Sequence, residues 1–192
     1  MRLLVAVTGA SGVIYGRRFL EVCRQLGIET ELVISRTAEK IVEHELGETK
    51  ESLFRLAGRT YPPDDLAAPP ASGSYKLDGM VIIPCSMGTL GKIAGGAADD
   101  LISRAADVCL KQGRPLILVI RETPLNLIHL ENMVRVHRAG GRILPACPAF
   151  YHTPADIGSL VDFVVGKVLD VLGVEHSLYK RWQGRPRGDA QP

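Results

Sequence analysis

The sequence predicts an α/β fold in which a mostly parallel, doubly wound sheet carries helices on both faces. Three observations point there. Short apolar runs alternate with stretches of helical spacing along the chain. Those runs are apolar throughout, as at 3–7 and 115–121, which is the pattern of strands buried on both faces. The first run leads directly into a small-residue turn, Gly9-Ala10-Ser11-Gly12, with a helix expected from about Ser11. In such sheets ligands bind beyond the carboxyl ends of the strands.

The length of 192 residues suits one domain, taken here as 1–182 with a polar, disordered tail over 183–192. Apolar residues make up 46% and the net charge is only +2, so a globule is expected and nucleic acid is not. A short basic cluster, Lys180 to Arg187, does not change that balance. No apolar run approaches the ~20 residues of a membrane span, and the opening run is too short for a secretory signal. The four cysteines form no CxxC pair, which argues against a zinc site or redox dithiol and for reduced thiols in the cytoplasm.

After the first turn, Phe19, Leu20, Val22, Cys23 and Leu26 recur at helical spacing until Gly27. A strand follows at 29–35, then a helix with Ser35 as N-cap, ended by Gly47. A short helix is read at 51–57. The proline-rich stretch 61–74 reads as a long loop, of a length that is usually functional or mobile. A strand at 79–85 runs into a second small-residue turn, Ser86-Met87-Gly88-Thr89, with helices at 89–95 and 99–111. A strand at 115–121, a helix at 126–139, a short strand at 142–145 and a helix at 155–172 complete the pattern.

Chemistry-bearing residues gather at the strand ends. The backbone amides and helix start of the first turn suit an anion, and Ser11 can cap that helix. The spacing is not GxGxxG, and the second strand ends in Ser35-Arg36 where an NAD site wants a carboxylate. NADP therefore ranks behind a phosphorylated planar cofactor such as FMN, to which hydroxyls at Ser11, Ser35 and Ser86 to Thr89 are suited. Arg121 supplies a cation at another strand end. Arg104 and Lys111 lie about two helical turns apart and share a face. Glu45 and Glu122, from the residues alone, read as solvated carboxylates. His129 and Glu131 read as structural.

Taken together, GASG at 9–12, PPASGS at 69–74, PCSMGTL at 84–90, RAADVCLK at 104–111, RETPL at 121–125, IHLENM at 128–133, FYH at 150–152 and VDFVVGKVLD at 161–170 resemble the UbiX/Pad-type flavin prenyltransferases. The resemblance runs from Leu3 to about Trp182. It implies a Rossmann-like, flavodoxin-like subunit of a homododecamer that binds reduced FMN. The implied reaction joins a dimethylallyl group from dimethylallyl phosphate to N5 and C6 of the flavin, and a UbiD-type decarboxylase receives the product. No metal is implied. Matched to the family's motifs, Gly9, Ala10, Ser11, Ser35, Ser86, Met87, Gly88, Thr89 and Arg121 bind FMN. Ser72, Arg104, Lys111, Tyr151, Lys167 and Trp182 surround the prenyl donor, and Ser11, Glu45 and Glu122 are tied to catalysis. Lys167 stands where arginine is more usual, keeping the charge without the bidentate fork.

Two other readings compete. An FMN-dependent cysteine decarboxylase shares the fold, but 145–152 lacks the Asn-Met and Met-Trp pairs of its substrate clamp. A non-catalytic FMN-binding protein needs the turns but not Arg104, Lys111, Tyr151 and Lys167.

Overall fold

The chain begins in the middle of its sheet. In this computed structural model, which describes residues 1–184, β1 (Arg2–Val7) pairs in parallel with β2 (Glu29–Ile34) on one side and β4 (Gly79–Cys85) on the other. The chain winds outward to β3 (Arg59–Tyr61), returns to β4, and continues through β5 (Leu116–Ile120) to β6 (Arg142–Pro145). The resulting order is β3-β2-β1-β4-β5-β6, six strands, all parallel. The winding direction reverses between β1 and β4. At such a switch point the two following loops diverge and leave a crevice. The turns after β1 and β4 are the two glycine- and serine-rich turns singled out in the sequence.

Burial explains the continuous apolar runs. Leu3, Val5, Leu32, Val33, Val81, Ile82, Leu118 and Val119 are all fully buried, as expected of strands covered on both faces. The helices between them are α1 (Val13–Gln25), α2 (Arg36–Leu46), α3 (Lys50–Phe54), α4 (Met87–Ala94), α5 (Leu101–Lys111) and α6 (Leu127–Arg138). Their ends follow local chemistry. Ser35 caps α2 by accepting from the Ala38 amide, and Gly47 closes that helix at φ 65°. Asp100 and Asn126 cap α5 and α6 with reciprocal side-chain bonds to Ser103 and His129. His129 thus has the structural role expected of it.

Two expectations need correction. Ser11 does not cap the first helix: the N-cap is Gly12, at φ 101°, with no side-chain capping bond. The stretch 61–74 is not wholly loop, because Tyr61 ends β3 and Pro69–Ala71 form a 3-10 turn. That segment is well tied. Arg114 donates to the Tyr75 and Gly73 carbonyls at 2.7 and 2.8 Å, and the Tyr75 hydroxyl donates to buried Glu31 at 2.5 Å.

Within the α/β domain, contacts cluster into two compact units, Met1–Ala146 with the sheet and a second from Cys147 onward. The second holds α7 (Ile157–Val171), N-capped by Asp156. The expected tail at 183–192 falls outside the described residues from Arg185 onward. Among the described residues no helix is long and apolar enough to cross a membrane.

Candidate functional site

The site in the first unit is a rim of turns at the carboxyl ends of β1, β2, β4 and β5, and buried hydrogen bonds lock these turns together. Thr8, fully buried, makes the central tie. Its hydroxyl donates to the Pro84 carbonyl at 2.9 Å and accepts from the Ser86 amide at 2.8 Å. One side chain therefore joins the turn after β1 to the turn after β4. Sequence reading passed over Thr8, since its partners lie 76 and 78 residues away.

The turn after β1 is pinned from two further sides. Arg121, just past β5, donates through Nε to the Ser11 carbonyl at 3.0 Å. The Glu45 carboxylate, near the end of α2, accepts from the Gly12 amide at 2.9 Å and the Val13 amide at 3.1 Å. The start of α1 is thus not an open anion receptor, because a carboxylate from its own chain already occupies it. Bonds to a charged acceptor are worth about 1.5–3 kcal/mol when shielded and less at an exposed position such as this. Gly9 is required by space: a Cβ there would lie 2.7 Å from Thr37 Cγ2 at the start of α2.

The rim's remaining groups face outward in part. Ser86 caps α4, accepting from the Thr89 amide at 3.3 Å with the two hydroxyls 3.1 Å apart. The amides of Met87 and Gly88 fall in the first turn of α4, where no intrahelical acceptor exists. Ser35, the N-terminus of α4, the Thr89 hydroxyl and the Arg121 guanidinium form a set of donors at the strand ends. Such a set fits a flavin mononucleotide, which offers phosphate and carbonyl oxygens as acceptors. Glu122 is exposed and accepts from the Thr123 amide at 3.0 Å. A groove of about 680 Å³ beside the rim is lined by Arg36, Glu39, Lys50, Tyr61 and Asp64. Two of its charged pairs are Arg36 with Asp64 and Lys50 with Glu39, both at 2.9 Å.

Ser72 and Arg104 are brought together. Arg104 on α5 donates through Nε to the Ala71 carbonyl at 3.2 Å, and Ser72 shares a hydroxyl contact with Ser74 at 2.9 Å. Lys111 ends α5 and is exposed. Thiol chemistry has no place here: burial pushes Cys23 up to about 12, Cys109 up to about 11, and Cys85 upward as well. All three stay protonated at neutral pH. Among the described residues no cluster of His, Cys, Asp or Glu can hold a metal ion.

The second unit holds Tyr151, Lys167 and Trp182. Tyr151 meets Trp182 edge-on, with ring centroids 5.7 Å apart, and meets Phe163 of α7 at 6.1 Å. Tyr151, His152, Lys180, Arg181 and Trp182, a mixture of aromatic and basic side chains, line a cavity of about 410 Å³. His152, not singled out in the sequence, stacks on Phe163 at 5.5 Å, and both its ring nitrogens are sealed from solvent without a partner among the described residues. Lys167 Nζ is held by Asp170 at 3.1 Å. That contact raises the lysine's pKa, so the side chain stays charged.

Comparison with known proteins bears on both units. Residues 1–169 match the family model described as Flavoprotein. The chain is 51% identical over 183 residues to a protein named flavin prenyltransferase UbiX from Methanothermobacter thermautotrophicus, covering 95% of this chain and 96% of the relative. A crystal structure of AnUbiX (PadA1) in complex with FMN and dimethylallyl pyrophosphate is 45% identical, with a TM-score of 0.95 over 96% of this chain and 98% of the other. A dodecameric FMN-dependent UbiX-like decarboxylase from Escherichia coli O157:H7 is 46% identical, with a TM-score of 0.94 over 96% of this chain and all of the other (100%).

Proposed function

The chain belongs to the Flavoprotein family and, within it, to the UbiX flavin prenyltransferases; from that membership we propose that it joins a dimethylallyl group from dimethylallyl phosphate to N5 and C6 of reduced FMN. The observation that carries the reading is the locked rim, a set of hydroxyls, amides and one guanidinium at the sheet's switch point, with a single carboxylate fixed among them. Reduced FMN supplies the nucleophilic nitrogen and ring carbon. The residues have four tasks: to hold the flavin, to neutralise the leaving phosphate, to shield the allyl group and to take up a proton.

Gly9, Ala10, Ser11, Ser35, Ser86 to Thr89 and Arg121 hold the flavin. Ser72, Arg104, Lys111, Tyr151 and Lys167 serve the donor phosphate. When its carbon–oxygen bond breaks, the electron pair leaves with phosphate, and positive groups stabilise that charge. Trp182 and Tyr151 offer π faces to the developing allyl cation. Closure at C6 releases a proton. Glu45 is fixed by the Gly12 and Val13 amides, which marks it as an acceptor held in place, whereas Glu122 is held only by its neighbour's amide.

The product then passes to a UbiD-type decarboxylase, and the protein works in the cytoplasm. Assembly is as a homododecamer. Leu127, Ile128, Leu130 and Val134 of α6 are exposed, an apolar face that a second copy would cover. The test is direct. Protein, reduced FMN and dimethylallyl phosphate are mixed without oxygen and the released flavin is weighed. A gain of one isoprene unit is expected; unchanged flavin, with a known enzyme active in parallel, overturns the reading.

A further inference from the structure

Asp170, near the end of α7, collects more partners than any other carboxylate described. Its Oδ1 accepts from Arg181 at 2.7 Å and His176 Nε2 at 3.1 Å; its Oδ2 accepts from Tyr179 at 2.5 Å and Lys167 at 3.1 Å. The Leu178 amide donates to His176 Nδ1 at 3.2 Å, so Nε2 carries the proton that faces Asp170. A carboxylate offers about four lone-pair sites, and all are taken here. Burial alone would raise the Asp170 pKa, but the bonds from Tyr179, Arg181, Lys167 and His176 hold it well below the ordinary carboxylate range. A saturated carboxylate with so low an affinity for protons is no base.

Three of the four donors lie beyond the helix, where the chain turns at Gly173 (φ 70°) and doubles back. A second feature fits this path. A Cβ on Gly166 would lie 2.6 Å from Tyr179 Cε1 and 2.7 Å from His176 Cε1, so only a bare backbone lets the segment lie against α7. Tyr179 also packs on Phe163 at 4.7 Å. The same segment carries Trp182 to the ring of Tyr151. Lys167 spends one donor on Asp170 and keeps others for a ligand; Arg181 likewise uses only part of its five-donor fork.

We propose that Asp170 is a positioning residue for the prenyl-donor site: it clamps the segment 174–182 onto α7, thereby setting Trp182 against Tyr151 and aiming Lys167. The proposal rests on the functional reading above for what the site binds, but the clamp itself does not. Trp182 is the chain's single tryptophan, so its fluorescence reports the segment without recourse to activity.

The test compares full-length wild type with Asp170→Asn and the milder Tyr179→Phe, which removes one of the four donors. Three quantities are read: the anisotropy of Trp182 emission without flavin, the FMN dissociation constant, and KM against kcat for dimethylallyl phosphate. In Asp170→Asn the anisotropy falls, KM rises about tenfold as a displaced group would cause, and FMN affinity stays within twofold of wild type, as expected of a group distant in role from the flavin. Tyr179→Phe moves the same readings in the same direction by less, and it decides the matter where Asp170→Asn does not fold. Wild-type anisotropy or wild-type KM in a folded variant overturns the proposal, as does a parallel loss of FMN affinity. If the wild type itself leaves flavin unprenylated, the functional reading falls and the anisotropy alone decides the clamp.

Discussion

The sheet rim and the C-terminal unit hold their functional groups by different means. In the rim, side chains grip backbone atoms: Thr8 ties two turns, and Glu45 and Arg121 each hold backbone atoms of the turn after β1. In the C-terminal unit, long charged and aromatic side chains hold one another around Asp170, with little backbone involved. Grips on backbone atoms fix position tightly. A side-chain cluster of ions is adjustable and sensitive to charge. On the proposed function, a rim held through its backbone is a rigid seat for a planar ring system.

The largest expected effect separates holding from chemistry inside the rim. Glu45→Gln keeps an acceptor for the Gly12 and Val13 amides but gives up proton uptake. Single-turnover prenyl transfer should slow about a hundredfold, the range of acid–base assistance, while an FMN titration still shows binding. Wild-type rates would remove Glu45 from the reaction and leave it as a structural tie. Next in size is Thr8→Val, which preserves shape but strands the Ser86 amide, while the Pro84 carbonyl keeps only the Thr8 amide at 3.1 Å. Thermal unfolding should show a loss of about 1–3 kcal/mol, the cost of unmade buried hydrogen bonds. A stability equal to wild type would mean that the two turns do not depend on this link.

A smaller effect probes the other region. The folded-state pKa of Asp170 lies below its unfolded value of about 3.9. Its contribution to stability is therefore complete above about pH 4 and is lost as pH falls through the lowered value. Asp170→Asn should lower the melting temperature at neutral pH, and the gap to wild type should close on acidification below about pH 4. A gap independent of pH would show that packing, and not charge, holds this unit together.

How far the sequence reveals this contrast depends on the reach of each interaction. In β1, β4 and β5 the strands were legible because continuous apolar runs announce burial on both faces. The edge strand β3 was not: Arg59-Thr60-Tyr61 is short and polar, and only its pairing with Glu31, Leu32 and Val33 of β2 makes it a strand. The rim's turns stood out through glycine and serine, yet Thr8 did not, because nothing local distinguishes a threonine at a strand end from one bridging to a turn 76 residues away. Ser11 looked like a cap from composition alone; the Glu45 carboxylate, arriving from α2, meets the helix start instead. Asp170 was hidden for a related reason. Its partners His176, Tyr179 and Arg181 become neighbours only once the chain reverses at Gly173.

The central claim of the proposed function is that phosphate leaves as the flavin gains carbon, in one chemical event. The most direct measurement loads the protein with one equivalent of reduced FMN, adds dimethylallyl phosphate, and follows released inorganic phosphate and flavin mass in the same quenched samples. Phosphate and prenylated flavin appearing together, in equal amounts and at one rate, is the predicted result. Phosphate released while the flavin mass stays unchanged would make the protein a phosphatase and contradict the account.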